Sequence, residues 1–179
     1  WFSHTKYLCL VQNWDTPESA QMQVHCQPVD VNELGNKVVA DAEMIAEQKQ
    51  LTLVSHCQVT PAIAHIDFYL VQRTLDNLLM NAIKFSPLHS HITLTVSHPN
   101  PDHIQFEVAD QGYGIPDEKK AIVFDPYHSG DDVSGNVVKI GLGLTFCKSV
   151  AEAHGGSISV RDNQPQGCIF TLLLPVSPR

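Results

Sequence analysis

Apolar and polar positions along this chain change period several times, and each change marks an element. Tyr7, Leu10, Val11 and Trp14 fall at helical spacing, and Thr16-Pro17 stops the pattern. Met22, Val24 and Cys26 then alternate with polar neighbours, which predicts a strand. Asp30-x-x-Glu33 has the form of a capping box, and Val31, Leu34, Val38 and Ile45 mark one side of the helix after it. Leu51 to Ser55 reads as a short strand, followed by a loop through Pro61. Asp67 is placed to cap a helix over about Phe68 to Phe85, stopped by Ser86-Pro87. Ile92, Leu94 and Val96 form a strand, Pro99 to Asp102 a turn, and Ile104 to Val108 the returning strand. A short acidic-basic helix runs from about Asp117 to Val123. The polar, glycine-dotted segment from His128 to Lys139 has no periodicity and reads as a flap. A helix with Leu142, Phe146, Val150 and Ala153 on one side follows, stopped by His154-Gly155-Gly156. Strands from Ser157 to Val160 and from Cys168 to Leu174 close the pattern.

Three of these places carry candidate chemistry. The helix at Phe68 to Phe85 has two stripes. Phe68, Val71, Leu75, Leu78, Ala82 and Phe85 are expected to face the core, while Asn77, Asn81 and Lys84 fall nearly on one line. Two carboxamides and an ammonium in a row suit a magnesium polyphosphate, because amide oxygens are hard ligands and lysine is a point charge for phosphate. The plainer alternative is a solvated polar face. The second place is Asp110-Gln111-Gly112-Tyr113-Gly114, where a strand delivers a carboxylate to a turn with two glycines. Glycine lets a flat ligand approach bare backbone, and a buried carboxylate there would accept from a donor such as an exocyclic amine. The alternative is a turn in which Asp110 bonds its own backbone. The third is Gly141-Leu142-Gly143-Leu144, which opens a helix whose free amides and dipole favour an anion.

Composition narrows the classes. With 179 residues, 43% hydrophobic and 17% charged, the chain is one globular domain with room for a core, plus at most a short extra element. A net charge of −8 argues against a nucleic-acid partner, which would need a basic face. No apolar run reaches membrane-spanning length, and the start does not have the form of a signal peptide. Five cysteines without a C-x-x-C pair read as reduced thiols, so a cytoplasmic location is expected. His89, His91, His98 and His103 lack a carboxylate or thiolate at ligand spacing and read as surface strand residues rather than a metal site.

The ordered set Asn77-Leu-Leu-Met-Asn81-Ala-Ile-Lys84-Phe85, Asp110-x-Gly112-x-Gly114-Ile115, Phe124-Asp-Pro-Tyr127, Gly141-Leu-Gly143-Leu and His154-Gly-Gly resembles the catalytic, ATP-binding domain of sensor histidine kinases. These kinases belong to a wider group with gyrase, the Hsp90 chaperones and MutL. The resemblance covers roughly Gln21 to Pro175. It implies an α/β two-layer sandwich, a mixed sheet with helices on one side, and ATP between helices under a mobile lid at about 125–140. On this resemblance Asp110 would accept from the adenine amino group, and Gly112 and Gly114 would make room for the base. Asn81 would ligate Mg²⁺ with Asn77 beside it, and Lys84 and the Gly141 and Gly143 amides would meet the phosphates. Ile115, Tyr127, Lys139, Leu142, Leu144 and Thr171 would complete the nucleotide contacts. Asn81 and Lys84 would be the catalytic pair. Residues 1–20 would be the end of the dimerising helical hairpin that carries the phosphoacceptor histidine, with 21–179 the catalytic domain.

The implied activity is ATP-dependent phosphorylation of a histidine on that hairpin, for onward transfer to a response regulator receiver domain. The acceptor motif is absent, since His4 is followed by Thr5. This stretch of chain is therefore expected to be a monomer that cannot label itself. Two other readings stand beside it: an ATPase of the gyrase or Hsp90 kind, and a non-catalytic nucleotide-sensing or docking module. ATPase relatives carry Glu at the position of Asn77, and an amide cannot act as a base. Asp76 is adjacent, but one helical step turns it about 100° off the Asn77 line. One departure from the kinase pattern is Lys139, which stands where the second glycine box usually has another glycine.

Overall fold

A computed structural model of the chain describes residues 22–125 and 142–177. The first helix, α1 (Val31–Gln48), follows strand β1 (Gln27–Asp30) and starts where expected. The Asp30 carboxylate accepts from the amides of Asn32 and Glu33 at 2.9 and 3.0 Å, satisfying two of the free N–H groups of a helix start. Val31, Leu34 and Val38 are buried, together with Val39, Ala42 and Ala46. Ile45 is not: it is 45% exposed, because the buried line continues through Ala42 and Ala46 instead. The expected strand at Met22 to Cys26 begins only at Gln27. The preceding residues keep the alternating exposure of a strand but are not assigned to a ladder.

Five strands form the main sheet in the order β2 (Thr52–Cys57), β4 (His91–Asn100), β5 (His103–Ala109), β7 (Cys168–Pro175) and β6 (Ser157–Asp162). Only β2 and β4 run parallel, so the sheet is mixed. β1 pairs separately with β3 (Ile63–Ile66), a strand that the pattern around Pro61 conceals. Ile92, Leu94, Val96, Ile104, Phe106, Val108, Phe170, Leu172 and Leu174 point to one buried face. The helices α1, α2 (Phe68–Phe85) and α4 (Leu142–Ala153) cover it, so the architecture is the expected two-layer sandwich. Among the described residues no helix is long and apolar enough to cross a membrane.

Close approach of the two layers is set at Gly35. A Cβ there would lie 2.5 Å from Cys57 Sγ and 3.2 Å from Val96 Cγ2, so a side chain would push α1 off β2 and β4. The expected glycine stop of α4 is present as a Schellman turn. Gly155 takes φ +72°, its amide donates to Glu152 O, and Gly156 N donates to Ala151 O. The buried line of α4 runs through Cys147, Val150 and Ala151, so Phe146 leaves the core stripe expected for it. Phe146 instead lies under the Arg73 guanidinium, 4.6 Å from ring centroid to Cζ. The short helix α3 (Asp117–Lys120) ends in turns, three residues sooner than its charge pattern predicts. His91 opens β4 exposed, but His89 sits in the preceding turn at φ +62° rather than on the strand. Among the described residues no cluster of His, Cys, Asp or Glu could hold a metal, and Cys26, Cys57, Cys147 and Cys168 are free thiols.

Candidate nucleotide site between α2 and α4

Helix α2 spans the interval its pattern predicts and is fixed at both ends. At its start Asp67 Oδ1 accepts from Tyr69 N and Leu70 N, and Oδ2 accepts from His25 N. Asp67 N in turn donates to Nε2 of the buried His154, whose Nδ1–H donates to Val150 O. That pair of bonds sets the neutral tautomer and ties the start of α2 to the end of α4. Val71, Leu75, Leu78 and Ala82 are buried as expected. Phe68 is only half-buried and Phe85 is 47% exposed, so the core stripe stops short of both helix ends. Phe85 belongs to the rim of the cleft described next.

Strand β5 ends at Ala109 and delivers Asp110 inward, on the face of Phe106 and Val108. Oδ1 of Asp110 accepts from Gly112 N at 2.8 Å and Cys168 N at 3.1 Å. Among the described residues Oδ2 accepts no hydrogen bond, so the carboxylate is oriented by one oxygen and presents the other. Burial pushes the Asp110 carboxyl above the usual carboxylate range, while the two amides pull it back. The turn bond expected of a plain loop is therefore made, by Oδ1 alone. Gly112 is packed against α2: a Cβ there would lie 2.9 Å from Asp110 Oδ1 and 3.0 Å from Phe85 O. Gly167 is a further requirement, since its φ is +107° and a Cβ would lie 2.1 Å from Asp110 O. Gly114 takes φ +77°, and Ile115 packs partly into the core.

The other side of the cleft is the polar stripe of α2. Asn77 and Asn81 are half-buried and Lys84 is exposed, with its ammonium 4.3 Å from the centroid of the Phe85 ring. The start of α4 comes alongside: a Cβ on Gly143 would lie 3.5 Å from Asn77 Oδ1. The first-turn amides of α4 thus open beside the carboxamides, with half-buried Leu142 and Leu144 flanking Gly143. Asp76 faces the other way. Its carboxyl is raised by burial and by Asp41 of α1, whose neighbour Lys37 lowers it.

The fold thus brings the turn of Asp110, Gly112, Gly114 and Ile115 to the C-terminal end of α2, and the helix start with Leu142, Gly143 and Leu144 to Asn77, while Asn81 and Lys84 lie on the α2 stripe beyond Asn77. It does not bring Thr171 there. Thr171 lies on the opposite face of β7 from Phe170 and Leu172, and its hydroxyl donates to Glu107 Oε1 at 3.2 Å. Strand alternation is the reason, and Cys168, three residues earlier, is the β7 residue that touches Asp110. Tyr127, Lys139, Gly141, the flap apart from Asp125, and the segment 1–20 lie outside the described residues. Sequence reasoning missed Gly167 and Cys168, for which a glycine opening the last strand was the only signal.

The cradle fits a flat base with an amine. Gly112 seats the turn against Phe85 O, where a Cβ would clash, and Oδ2 of Asp110 is left as an acceptor. Magnesium needs only one or two protein ligands beside phosphate and water, and the carboxamide oxygen of Asn81 is of the right hardness.

This arrangement is that of a known class. Residues 67–178 match the family described as "Histidine kinase-, DNA gyrase B-, and HSP90-like ATPase", and the chain belongs to that family, on its sensor histidine kinase branch. Similar proteins include the adaptive-response sensory kinase SasA of Synechocystis sp., 30% identical over 161 residues that make up 88% of this chain and 41% of that protein. The sensor histidine kinase TmoS of Ectopseudomonas mendocina is 32% identical over 162 residues, 89% of this chain and 16% of its own length. The chain therefore spans less than half of these relatives. Among solved structures, full-length ShkA in complex with AMPPNP superposes with a TM-score of 0.78 at 25% identity, over 89% of this chain and 33% of that one. The mycobacterial sensor histidine kinase MprB gives 0.73 at 27% identity, over 87% of this chain and all (100%) of that one.

Proposed function

We propose that this chain binds Mg·ATP in the cleft between α2 and α4 and acts as the catalytic domain of a sensor histidine kinase. It would present the γ-phosphoryl group to a histidine on a helical hairpin belonging to the same full-length protein, within one protomer or across a dimer. A response regulator receiver domain would then take the group. The observation that carries this reading is the buried Asp110 carboxylate, anchored through Oδ1 with Oδ2 left as an acceptor, in the turn that Gly112 seats against α2. The complex of ShkA with AMPPNP supports the ligand class, and the complex of the histidine kinase ThkA with the response regulator TrrA supports the partner class.

Within this reading each residue has a task. Asp110 Oδ2 accepts from the adenine amine while Gly112 and Gly114 admit the ring. Asn81, with Asn77 beside it, holds Mg²⁺ with the polyphosphate. Lys84 and the first-turn amides of α4 attract phosphate oxygens, aided by the helix dipole. Magnesium, when bound, neutralises charge on the phosphates. Phosphoryl transfer asks for positioning and charge stabilisation more than for covalent chemistry, and these side chains supply both. Hydrolysis asks for a base near the attacking water. Asn77 is an amide and Asp76 is turned toward α1, so the site favours transfer to an incoming imidazole over transfer to water.

The test is transfer in trans. This chain should bind Mg·ATP by calorimetry, hydrolyse it very slowly and remain unlabelled. With a purified hairpin domain added, the hairpin should acquire an acid-labile, base-stable phosphoryl group. Brisk turnover by the chain alone would establish the ATPase reading instead. Absence of nucleotide binding would leave the docking-module reading.

A further inference from the structure

The C-terminal turn of α2 is held by a residue from outside it. Lys49 caps the end of α1, and its ammonium donates to Ile83 O at 2.6 Å, Lys84 O at 2.7 Å and Ser86 O at 3.1 Å. A lysine ammonium has three donors, and here all three go to backbone carbonyls. A helix end leaves its last carbonyls without intrahelical partners and carries partial negative charge, so a cation placed there is favoured twice.

The carbonyl of Phe85 lies between those that Lys49 holds, and it is the backbone atom against which Gly112 packs. Lys84, whose carbonyl is one of the three, sends its ammonium over the Phe85 ring at the cleft. The same strap is continued by His89 N to Gln50 O and Thr52 N to Ser90 O, so α1 and β2 together hold residues 83–90. The end of α2 on which Gly112 packs is therefore held by the Lys49 ammonium.

We propose that Lys49 is a positioning residue for the nucleotide site: by fixing the carbonyls of Ile83, Lys84 and Ser86 it sets how the Asp110–Gly112 turn seats against α2 and the direction of Lys84. It touches no ligand itself. This rests on the reading of the cleft as an adenine-nucleotide site.

The test compares Lys49→Met, Lys49→Arg and the unaltered 179-residue chain. Mg·ATP and ADP are titrated by calorimetry well below each unfolding midpoint, and the Gly112 amide is followed by ¹H–¹⁵N correlation spectra. Loss of charge-assisted bonds that shape the pocket should raise the Kd of Lys49→Met about tenfold and move the Gly112 resonance. Lys49→Arg, which keeps the charge and several donors, should stay within about threefold of the unaltered chain. If Lys49→Met lowers the unfolding midpoint but binds ATP as the unaltered chain does, Lys49 is a structural strap only and the proposal is overturned. If the unaltered chain binds no ATP, the nucleotide reading itself fails, which is a different result. Should Lys49→Met not fold, Lys49→Gln keeps one short donor and is judged by the same comparison of affinity and Gly112 shift.

Discussion

Replacing Asp110 by Asn tests the base pocket most directly, because it changes one atom and leaves the anchoring intact. The Asn Oδ1 still accepts from Gly112 N and Cys168 N, so Nδ2 is forced into the place of Oδ2. An acceptor that faced the adenine amine becomes a donor, and two donors then point at each other. Loss of a charge-assisted hydrogen bond costs roughly 1.5–3 kcal/mol, which is about 10- to 150-fold in Kd. GTP presents a carbonyl where ATP presents the amine, so its affinity should fall far less. Stability should move the other way. Burial raises the Asp110 carboxyl in the folded chain, so the native state holds its proton to higher pH than the unfolded state does. The contribution of Asp110 to stability is therefore full at pH below its ordinary value and is lost as pH rises through the raised one. At pH 7, without nucleotide, Asp110→Asn should accordingly unfold no earlier than the unaltered chain. Its advantage should shrink as pH falls into the carboxylate range. Calorimetry with ATP and GTP, and thermal unfolding across pH, read both effects. Unchanged ATP affinity in a folded Asp110→Asn chain would refute the assignment of Oδ2 as the base acceptor.

Gly112→Ala should weaken ATP and lower the unfolding midpoint together, because its Cβ would meet Asp110 Oδ1 at 2.9 Å and Phe85 O at 3.0 Å. Overpacking of this kind costs about 1–3 kcal/mol, read by chemical denaturation. Asn81→Asp keeps shape but sets a negative charge beside the polyphosphate. Transfer to an added hairpin should fall much more than ATP affinity, and an unchanged Mg²⁺ dependence of both would count against Asn81 as the ligand. Asn77→Glu should raise the slow hydrolysis of the isolated chain, measured as phosphate release, since it supplies the missing base beside the start of α4.

Where one period holds over many residues, the fold was legible. Helix α2 and strands β4, β5 and β7 carry clear stripes or alternation, and Asp67 has one role as a cap that its position predicts. The failures have distinct physical causes. β3 is four residues long and lies behind the loop signal of Pro61, so its pairing to β1 is a tertiary fact. Phe68 and Phe85 extend the α2 stripe past the end of the core, whereas Ile45 and Phe146 lie beside buried lines that run through Ala42 and Ala46 and through Cys147, Val150 and Ala151. Thr171 failed for a reason of parity, since a one-residue step on a strand exchanges faces. The chemistry of Asp110 and the α2 stripe was legible because residue type alone carries it. The supports of that chemistry were not: Lys49 reaches across 34–37 residues of sequence, and Cys168 contributes only backbone groups, its N–H to Asp110 Oδ1 and its carbonyl to Asp110 N.

That division follows from how the cleft is built. The groups proposed to face the ligand come from one stripe of α2, the loop after β5 and the first turn of α4, whereas its dimensions come from contacts distant in sequence. The start of α2 is referred to α4 through Asp67 and His154, and its end is referred to α1 through Lys49. Asp110 is referred to β7 through Cys168 N, and the loop is closed over it by Asn163 Nδ2 to Asp110 O at 2.7 Å. A bond of fixed length at each of these points leaves the carboxamide stripe little freedom relative to the carboxylate. On the proposed reading the site holds a polyphosphate in line with an incoming imidazole, and that would require such rigidity, because misplacement of about 1 Å can cost a hundredfold in rate. Substitutions at these distant supports should therefore depress phosphoryl transfer more steeply than they depress nucleotide affinity, the more so the nearer the support lies to Asn81 and Lys84.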